Sequence, residues 1–158
     1  MKKLFYLVLA TGFLLLANTE TKAQNYKNAI GGRFGTANGI TFKTFTSGNR
    51  AWDLIANFRD TKSYSTFRFT ALYEIHNNVA GAPGLQWYYG GGGTIGTYKW
   101  KPSDESDVYV AADGVLGLDY KFTGAPINVA LDWKPALELT PSTGFDAEGF
   151  GLSVRFTF

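Results

Sequence analysis

The stretch FGLSVRFTF, residues 150–158 at the end of the chain, decides the fold. Its apolar residues alternate strictly with small or polar ones, and they are Phe150, Leu152, Val154, Phe156 and Phe158. Successive side chains of a β-strand point to opposite faces, so this pattern predicts a strand with one apolar and one polar face. The fold then depends on which of these faces points inward.

The composition favours strands and turns over helices. The chain has 158 residues, a length typical of one domain, with 19 glycines, 16% aromatic and only 18% charged residues. The absence of cysteine excludes disulfides, thiolate metal sites and a lipid-modified N-terminal cysteine. With His76 as the single histidine, a histidine-based metal site is disfavoured, and we expect neither a metal nor a cofactor.

Residues 1–23 have the pattern of a secretory signal peptide. Two lysines precede an apolar run at 4–16, and residues 21–23 (TKA) offer small side chains for cleavage. The run is short for a membrane-spanning helix, although an N-terminal anchor helix is the alternative. We therefore predict a signal peptide at 1–23 and one exported domain at 24–158.

Without the signal peptide, the charges of the chain balance. Residues 1–23 hold three lysines and one glutamate, which leaves 12 basic and 12 acidic residues in the mature domain. Nucleic-acid binding requires a basic surface, so this balance argues against a nucleic-acid partner.

Downstream of the signal peptide, segments of period-two alternation are separated by polar or Gly/Pro-rich turns. Short turns at one end and longer polar loops at the other are typical of an antiparallel up-and-down membrane barrel. An even number of strands places both chain termini at the same end. We predict eight strands, at Asn28–Gly35, Gly39–Thr46, Ala51–Arg59, Phe67–His76, Leu85–Trp100, Val108–Phe122, Ile127–Thr140 and Phe150–Phe158.

The connections between these strands carry their own signals. Asn38-Gly39 predicts a two-residue hairpin turn. The longer polar loops are predicted at 60–66, 101–107 and 141–149. Pro135 lies inside the seventh predicted strand and lacks a ladder donor, so we expect a β-bulge there.

The bulk of the apolar face indicates that it points outward. A soluble eight-stranded barrel would place this face inside, where there is just enough room for side chains. The face carries too many large rings for that space, among them Trp52, Phe58, Trp87, Trp133 and Phe156. Aromatic residues also concentrate near predicted strand ends, as in the girdle of a membrane barrel.

The polar face has the composition of a barrel interior. It mixes small residues with charges of both signs, and buried charges must be paired. We expect a plugged lumen, with Tyr88, Tyr98, Trp100 and Tyr109 pointing inward. The charged residues assigned to this face are Arg33, Lys43, Arg59, Arg68, Lys121, Lys134 and Arg155 against Asp53, Glu74, Asp113, Asp119, Asp132 and Glu138.

The sequence resembles small outer-membrane β-barrels of Gram-negative bacteria, with an architecture like that of OmpA and OmpX. The signal peptide, the eight amphipathic segments and the final VRFTF carry this resemblance. The stretches PGLQWYYGGGGTIGTY (83–98) and DGVLGLDYKFTGAPINVALDWKP (113–135) resemble a family of small outer-membrane proteins. The resemblance implies an outer-membrane location, contacts with outer-membrane lipids and lipopolysaccharide, and recognition of the C-terminal strand by the barrel-insertion machinery. A monomer is expected.

Two stretches could indicate a catalytic or phosphate site. Gly90–Gly93 with Gly96 lacks the following helix and the GK[ST] motif of a phosphate loop, so we favour a strand that is closely approached by a neighbour. His76, two residues after Glu74, could act as a general base in an outer-membrane lipid hydrolase. No nucleophile can be assigned to it, and we favour membership of the lumen network; no catalytic, cofactor or metal residue is predicted.

Asp104, Glu105 and Asp107 could bind a divalent cation, but the spacing of a Ca²⁺ loop is absent and solvated carboxylates are favoured. An ion path through the lumen is a further alternative, although eight-stranded barrels are filled by their own side chains. We predict a non-enzymatic outer-membrane barrel with a structural or surface-interaction role, carried by the three longer loops. The alternative is a barrel that binds or passes a small ligand or ion.

Overall fold

The computed structural model describes residues 26–158, so the predicted signal peptide lies outside the described residues. These residues contain no helix that is long and apolar enough to cross a membrane. They form strands β1 Asn28–Gly35, β2 Asn38–Ser47, β3 Arg50–Asp60, β4 Tyr64–Asn78, β5 Leu85–Trp100, β6 Glu105–Lys121, β7 Ile127–Trp133, β8 Ala136–Thr140, β9 Gly144–Asp146 and β10 Phe150–Thr157.

The strands are antiparallel to their neighbours, and the sheet closes on itself. Consecutive strands pair from β1 to β6, and β1 pairs with β10 to close the ring. Both β7 and β8 pair with β6, while β10 pairs with β7 and β9 with β8. The seventh strand of the wall is therefore made of β7 and β8, and the eighth is made of β9 and β10. Counted in this way the wall has eight strands, and the predicted eight-stranded barrel is confirmed.

The seventh wall strand breaks at Lys134 and Pro135, between β7 and β8. Proline cannot donate to the ladder, and here its carbonyl accepts from the Gly114 amide at 2.9 Å. The Lys134 amide turns to the Gly149 carbonyl at 2.6 Å. The irregularity expected at Pro135 is present, as a break rather than a bulge within one continuous strand.

The predictions about connections need two corrections. The first hairpin turns at residues 36 and 37, and Asn38 already pairs with Phe58 in the ladder. The expected asymmetry of loop lengths is also wrong. We call the end of the barrel that holds both ends of the described chain the terminal end, and the opposite one the far end. The connections at the terminal end are residues 48–49, 79–84 and 122–126. The connections at the far end are residues 36–37, 61–63, 101–104 and 141–143.

The loop prediction failed because β4 and β6 continue through residues that look like loop. Tyr64–Thr66 and Glu105–Asp107 are polar on both strand faces, so they show no apolar alternation. Alternation signals a strand only where one face is buried or lies against lipid. Where a strand extends into water, the ladder continues without that signal.

The two faces of the wall are as predicted. Along β10, Gly151, Ser153, Arg155 and Thr157 point into the barrel and are buried, whereas the residues between them are exposed. Arg155 is 1% exposed and the adjacent Phe156 is 54% exposed. The outer face is therefore a continuous apolar belt, and the polar groups lie inside.

Candidate functional site: the lumen network and the far-end sheet

A buried lysine lies at the centre of the lumen network. The ammonium nitrogen of Lys43 lies 2.7 Å from Glu74, 3.5 Å from Asp119 and 3.8 Å from Asp53. It also lies 4.3 Å from the centroid of the Tyr88 ring. A buried ammonium is tolerated only when it is paired, and here three carboxylates and an aromatic face surround it.

Arg155 of β10 links the C-terminal strand to the opposite wall. Its guanidinium binds Asp53 at 2.6 Å and donates to the hydroxyl of Thr41 at 3.0 Å and to the amide oxygen of Asn128 at 3.3 Å. Asn128 in turn donates to Asp119 at 2.5 Å. The last strand is thereby tied to β2 and β3 across the lumen and to its ladder neighbour β7.

His76 belongs to the same cluster. Its Nε2 lies 3.0 Å from Glu74 and its Nδ1 lies 3.1 Å from Gln86, while its ring stacks on Tyr88 at 4.8 Å. Within residues 26–158, no serine or threonine hydroxyl is hydrogen-bonded to the imidazole. The described structure thus gives His76 structural partners in the lumen and assembles no nucleophile beside it.

A second cluster lies closer to the far end. Arg33 binds Asp132 through both terminal nitrogens, at 2.8 and 2.5 Å, and the Tyr88 hydroxyl donates to the same carboxylate at 2.8 Å. Bidentate pairing of this kind fixes both geometry and charge. Gly151 leaves the room that the guanidinium needs, because a Cβ there would collide with Arg33.

A third cluster continues the network towards the far end. Lys134 binds Asp113 at 2.6 Å, and the Thr94 hydroxyl donates to that carboxylate at 2.5 Å. Nearby, the Tyr109 hydroxyl donates to Glu138 at 3.0 Å. Polar contacts therefore occur along the described lumen from the terminal end to the level of the β7–β8 break.

Three residues assigned to the lumen lie elsewhere, and one of them is Tyr98, which is half-buried near the far end of β5 and stacks on Tyr64. Arg59 is exposed near the end of β3, with its guanidinium 5.7 Å from the Tyr64 ring, and Trp100 is 40% exposed at the end of β5. Both lie where the strands continue past the closed wall, so an inward direction there leads into solvent. Tyr88 and Tyr109 are buried inside as expected.

Neutral residues complete the network, and the sequence reasoning did not single them out. Thr41, Gln86, Asn128 and Ser153 each hydrogen-bond a charged or ionisable member. Their position on the polar side of the strand alternation was the available signal. Apolar residues also point inward, and Ile55, Leu72, Tyr88, Val115 and Ala130 form a small core beside the charges.

The glycine run of β5 lies in the wall. A Cβ at Gly90 or Gly92 would collide with the carbonyl oxygens of Tyr73 and Ala71 on β4. The two strands therefore approach closely along the run, which supports the strand interpretation over a phosphate loop.

The acidic residues of the 101–107 region lie on the surface. Asp104 pairs with Lys99 at 2.6 Å, and Glu105 accepts from the Ser103 hydroxyl at 3.1 Å. The Lys99 ammonium holds the pKa of Asp104 below its usual value. Among the residues that the structure describes, no group of three or more acidic or histidine side chains could hold a metal ion.

Aromatic rings pack together at the terminal end of the lumen. Tyr26, only 8% exposed, packs edge-on against Phe45 with ring centroids 5.3 Å apart, and Phe45 packs against His76 at 5.0 Å. An open cleft of about 680 Å³ lies at this mouth, with Lys27 and Gln86 among its lining residues.

At the far end, four strands rise above the closed wall. The β5–β6 ladder runs to Trp100 opposite Glu105, whereas the pairing of β6 with β8 reaches only Val110. On the other side, β3 extends to Asp60 while its pairing with β2 stops at Phe58. We call the extension the projecting sheet, formed by residues 59–60, 64–67, 97–100 and 105–108.

Side-chain contacts join the two hairpins of the projecting sheet. Tyr64 stacks on Tyr98 with ring centroids 5.2 Å apart, and Lys101 binds Asp60 at 2.6 Å. The Lys101 amide also donates to the Ser63 carbonyl at 2.9 Å. The hairpins therefore form one surface rather than two separate loops.

Solved structures share this fold. The N-terminal β-barrel domain of Pseudomonas aeruginosa OprF superposes with a TM-score of 0.64 at 18% identity, over 83% of this chain and 95% of that one. Neisserial surface protein A (NspA) superposes with a TM-score of 0.50 at 11% identity, over 83% and 93%. No protein-family model and no curated protein matches the sequence. The likeness confirms the predicted outer-membrane type of barrel fold.

Proposed function

We propose that this chain is a non-enzymatic, monomeric outer-membrane barrel that binds partners at the cell surface through its projecting sheet. The exposed apolar belt supports a position in a bilayer, since such a face is stable only against lipid. Both termini lie at one end, which fits a periplasmic terminal end after export. In this proposal the barrel-insertion machinery recognises β10, the strand that closes the ring against β1.

The unpaired edge of β6 carries the proposal. From Glu105 to Tyr109 this strand has a ladder partner only on the β5 side, and the one contact from β8 is the Thr140 hydroxyl, which donates to the Val108 carbonyl at 3.3 Å. An open strand edge presents unpaired N–H and C=O groups, onto which an extended peptide can add as a further strand. Glu105 to Val108 are exposed, so the edge is accessible at the far end, which is extracellular in this proposal.

Charge on this edge selects the partner. Glu105 and Asp107 are both exposed on the free strand, and Asp107 has no ion-pair partner within the described residues. Two copies pairing through this edge would bring like charges together, which is destabilising. The edge therefore favours an extended segment of another protein with lysine or arginine at alternate positions.

A labelled peptide tests this proposal. We expect the peptide acetyl-KTKVKTK-amide to bind the refolded protein in detergent micelles and to slow amide hydrogen exchange at residues 105–109. The variant that carries both Glu105→Gln and Asp107→Asn should bind at least about tenfold more weakly, because charge pairs at a strand edge add to the ladder energy. Asp146→Asn, on the separate strand β9, is the matched control.

Protection of the 105–109 amides is the deciding observation. Peptide binding that leaves these amides unprotected, or that the charge-neutral variant does not weaken, would contradict β-strand addition at this edge. The mobility of unboiled against boiled protein on a gel reports separately whether each variant has folded into the barrel.

A further inference from the structure

A groove crosses the outer wall, on the apolar belt. It has a volume of about 370 Å³, and its lining residues are Trp87, Leu116, Gly117, Leu118, Leu131, Asp132, Trp133 and Phe150. We infer that this groove binds one acyl chain of a phospholipid from the leaflet next to the terminal end. The inference rests on the proposed position in the outer membrane.

The strand register explains the shape of the groove. Trp87, Leu118 and Leu131 lie opposite one another on β5, β6 and β7 and form one wall. The other wall follows from the next outward row, in which Leu116 pairs with Trp133 and Trp133 with Phe150. The groove therefore runs across the strands, between two rows of outward side chains.

The floor of the groove is the backbone between these rows. Gly117 pairs with Asp132, and the side of the wall that they face is the lumen. A Cβ at Gly117 would lie 2.6 Å from the Tyr88 ring, so the lumen side is already filled. With the inward space occupied, the cleft between the rows is accessible only from the outer face.

Its chemistry fits a hydrocarbon chain. The side chains of both walls are all apolar, and the one polar indole group nearby is satisfied, because the Trp133 Nε1 donates to the Ala147 carbonyl at 2.7 Å. A water molecule occupies about 30 Å³ in the liquid, so the groove has room for about a dozen groups of that size. That number is comparable to a substantial part of the carbon atoms in an acyl chain.

The position of the groove along the barrel wall indicates which leaflet of the bilayer supplies the lipid. Trp87 is the third residue of β5, and Leu118 lies close to the end of β6, both near the terminal end. A lipid chain gains little hydrophobic energy by leaving the bilayer for an apolar wall, so contact packing in the groove has to provide the preference. The aromatic side chains in the two rows, Trp87 in one and Trp133 and Phe150 in the other, supply that contact on both sides of the acyl chain.

Two tryptophans provide a matched comparison. Trp87 lines the groove and Trp52 does not, yet each is the third residue of its strand from the terminal end and each is 40% exposed. We therefore compare a protein whose two remaining tryptophans, Trp87 and Trp133, both line the groove (W52F, W100F) with one that retains only Trp52 (W87F, W100F, W133F). Trp52 and Trp87 both lie near the terminal end of the barrel.

The probe is phosphatidylglycerol brominated in mid-chain, titrated into protein in detergent micelles. We expect quenching of Trp87 and Trp133 to saturate at about one lipid per barrel, because one groove of this size holds one chain. Quenching of Trp52 should rise without saturation. Adding Leu118→Phe to the protein that retains Trp87 and Trp133 fills the groove and should remove the saturating phase, whereas Ile40→Phe, on the same belt but on β2, should preserve it.

The failures are distinguishable. Equal, non-saturating quenching in the two proteins would overturn the groove and leave the membrane position intact. Absence of quenching at both, in vesicles as well as in micelles, would overturn the membrane position itself. Saturation that persists with Leu118→Phe would place the bound chain elsewhere, and a stable dimer that buries Trp87 would assign the groove to a second copy.

Discussion

Two ion pairs of this barrel have the same nitrogen–oxygen distance, but one is buried in the lumen and the other is exposed to solvent. Arg155 and Asp53 lie 2.6 Å apart in the lumen, with side chains 0% and 1% exposed. Lys99 and Asp104 also lie 2.6 Å apart, on the projecting sheet, with side chains 50% and 82% exposed. Distance alone therefore says little about what each pair contributes.

The two pairs differ in the free energy of unfolding that is lost when one member of the pair is removed. Water solvates either member of the exposed pair, so its loss has a small effect. In the lumen, removing one partner leaves an uncompensated charge away from solvent. The lumen network therefore contributes to the stability of the closed barrel, whereas charges on the projecting sheet can change at little cost in stability.

The largest expected effect is that of Arg155→Ala. Asp53 would lose its nearest cation, and Thr41 and Asn128 would each lose a donor. We expect the free energy of unfolding to fall by about 3–5 kcal/mol, the range for breaking a buried pair. A urea titration in lipid vesicles, followed by gel mobility of unboiled samples, measures this loss.

The matched control is Lys99→Ala, which removes the cation of the exposed pair at the same distance. It should leave the unfolding midpoint unchanged within error. Should both variants lose similar stability, burial would not be what distinguishes the two regions.

An intermediate effect is expected for Leu131→Arg on the lipid-facing side. Leu131 is 56% exposed on the apolar belt, and an arginine there would face hydrocarbon without a partner. The cost should be about 2–4 kcal/mol if the position is near the bilayer midplane, and it should decrease towards the interfaces. The same urea titration applies.

Leu139→Arg provides the comparison in depth. Leu139 is 51% exposed but lies next to the end of β8, where an arginine can reach the interface. A cost equal to that of Leu131→Arg would argue against a bilayer around this belt, and no cost for either would mean that the outer face is in water.

The smallest effect concerns Asp104. Because Lys99 depresses the pKa of this carboxyl in the folded state, the contribution of the pair is present above the pKa of an unfolded aspartate. It is lost as the pH falls through the depressed folded value. The carboxyl ¹³C signal of Asp104 should titrate at higher pH in Lys99→Ala than in the parent; identical titrations would mean that the pair does not form in solution.

Alternation predicted which side chains point inward because it is a local property of a strand. The polar side of β7 and β10, including Asn128, Asp132 and Arg155, was readable without any partner. The fold class followed from the same pattern, since a two-faced sheet with large rings on its apolar side is stable only as a barrel in lipid.

The sequence did not predict which charged residues pair with each other across the lumen. Arg155 meets Asp53 although the two are 102 positions apart, and neither strand indicates which charge lies opposite. Closure of the ring and the tilt of the strands decide which inward residues reach the same level. The clusters around Lys43 and Arg33 are products of that geometry.

Strand ends were likewise a matter of tertiary structure. Arg59 and Trp100 continue the inward alternation, but their strands extend past the closed wall and the residues meet solvent. The sequence by itself determined the two-faced strands, and it predicted an exported domain in which the charges balance. Only the tertiary structure decided where the wall stops, which edge stays open and which charges neutralise each other, because these depend on contacts between distant strands.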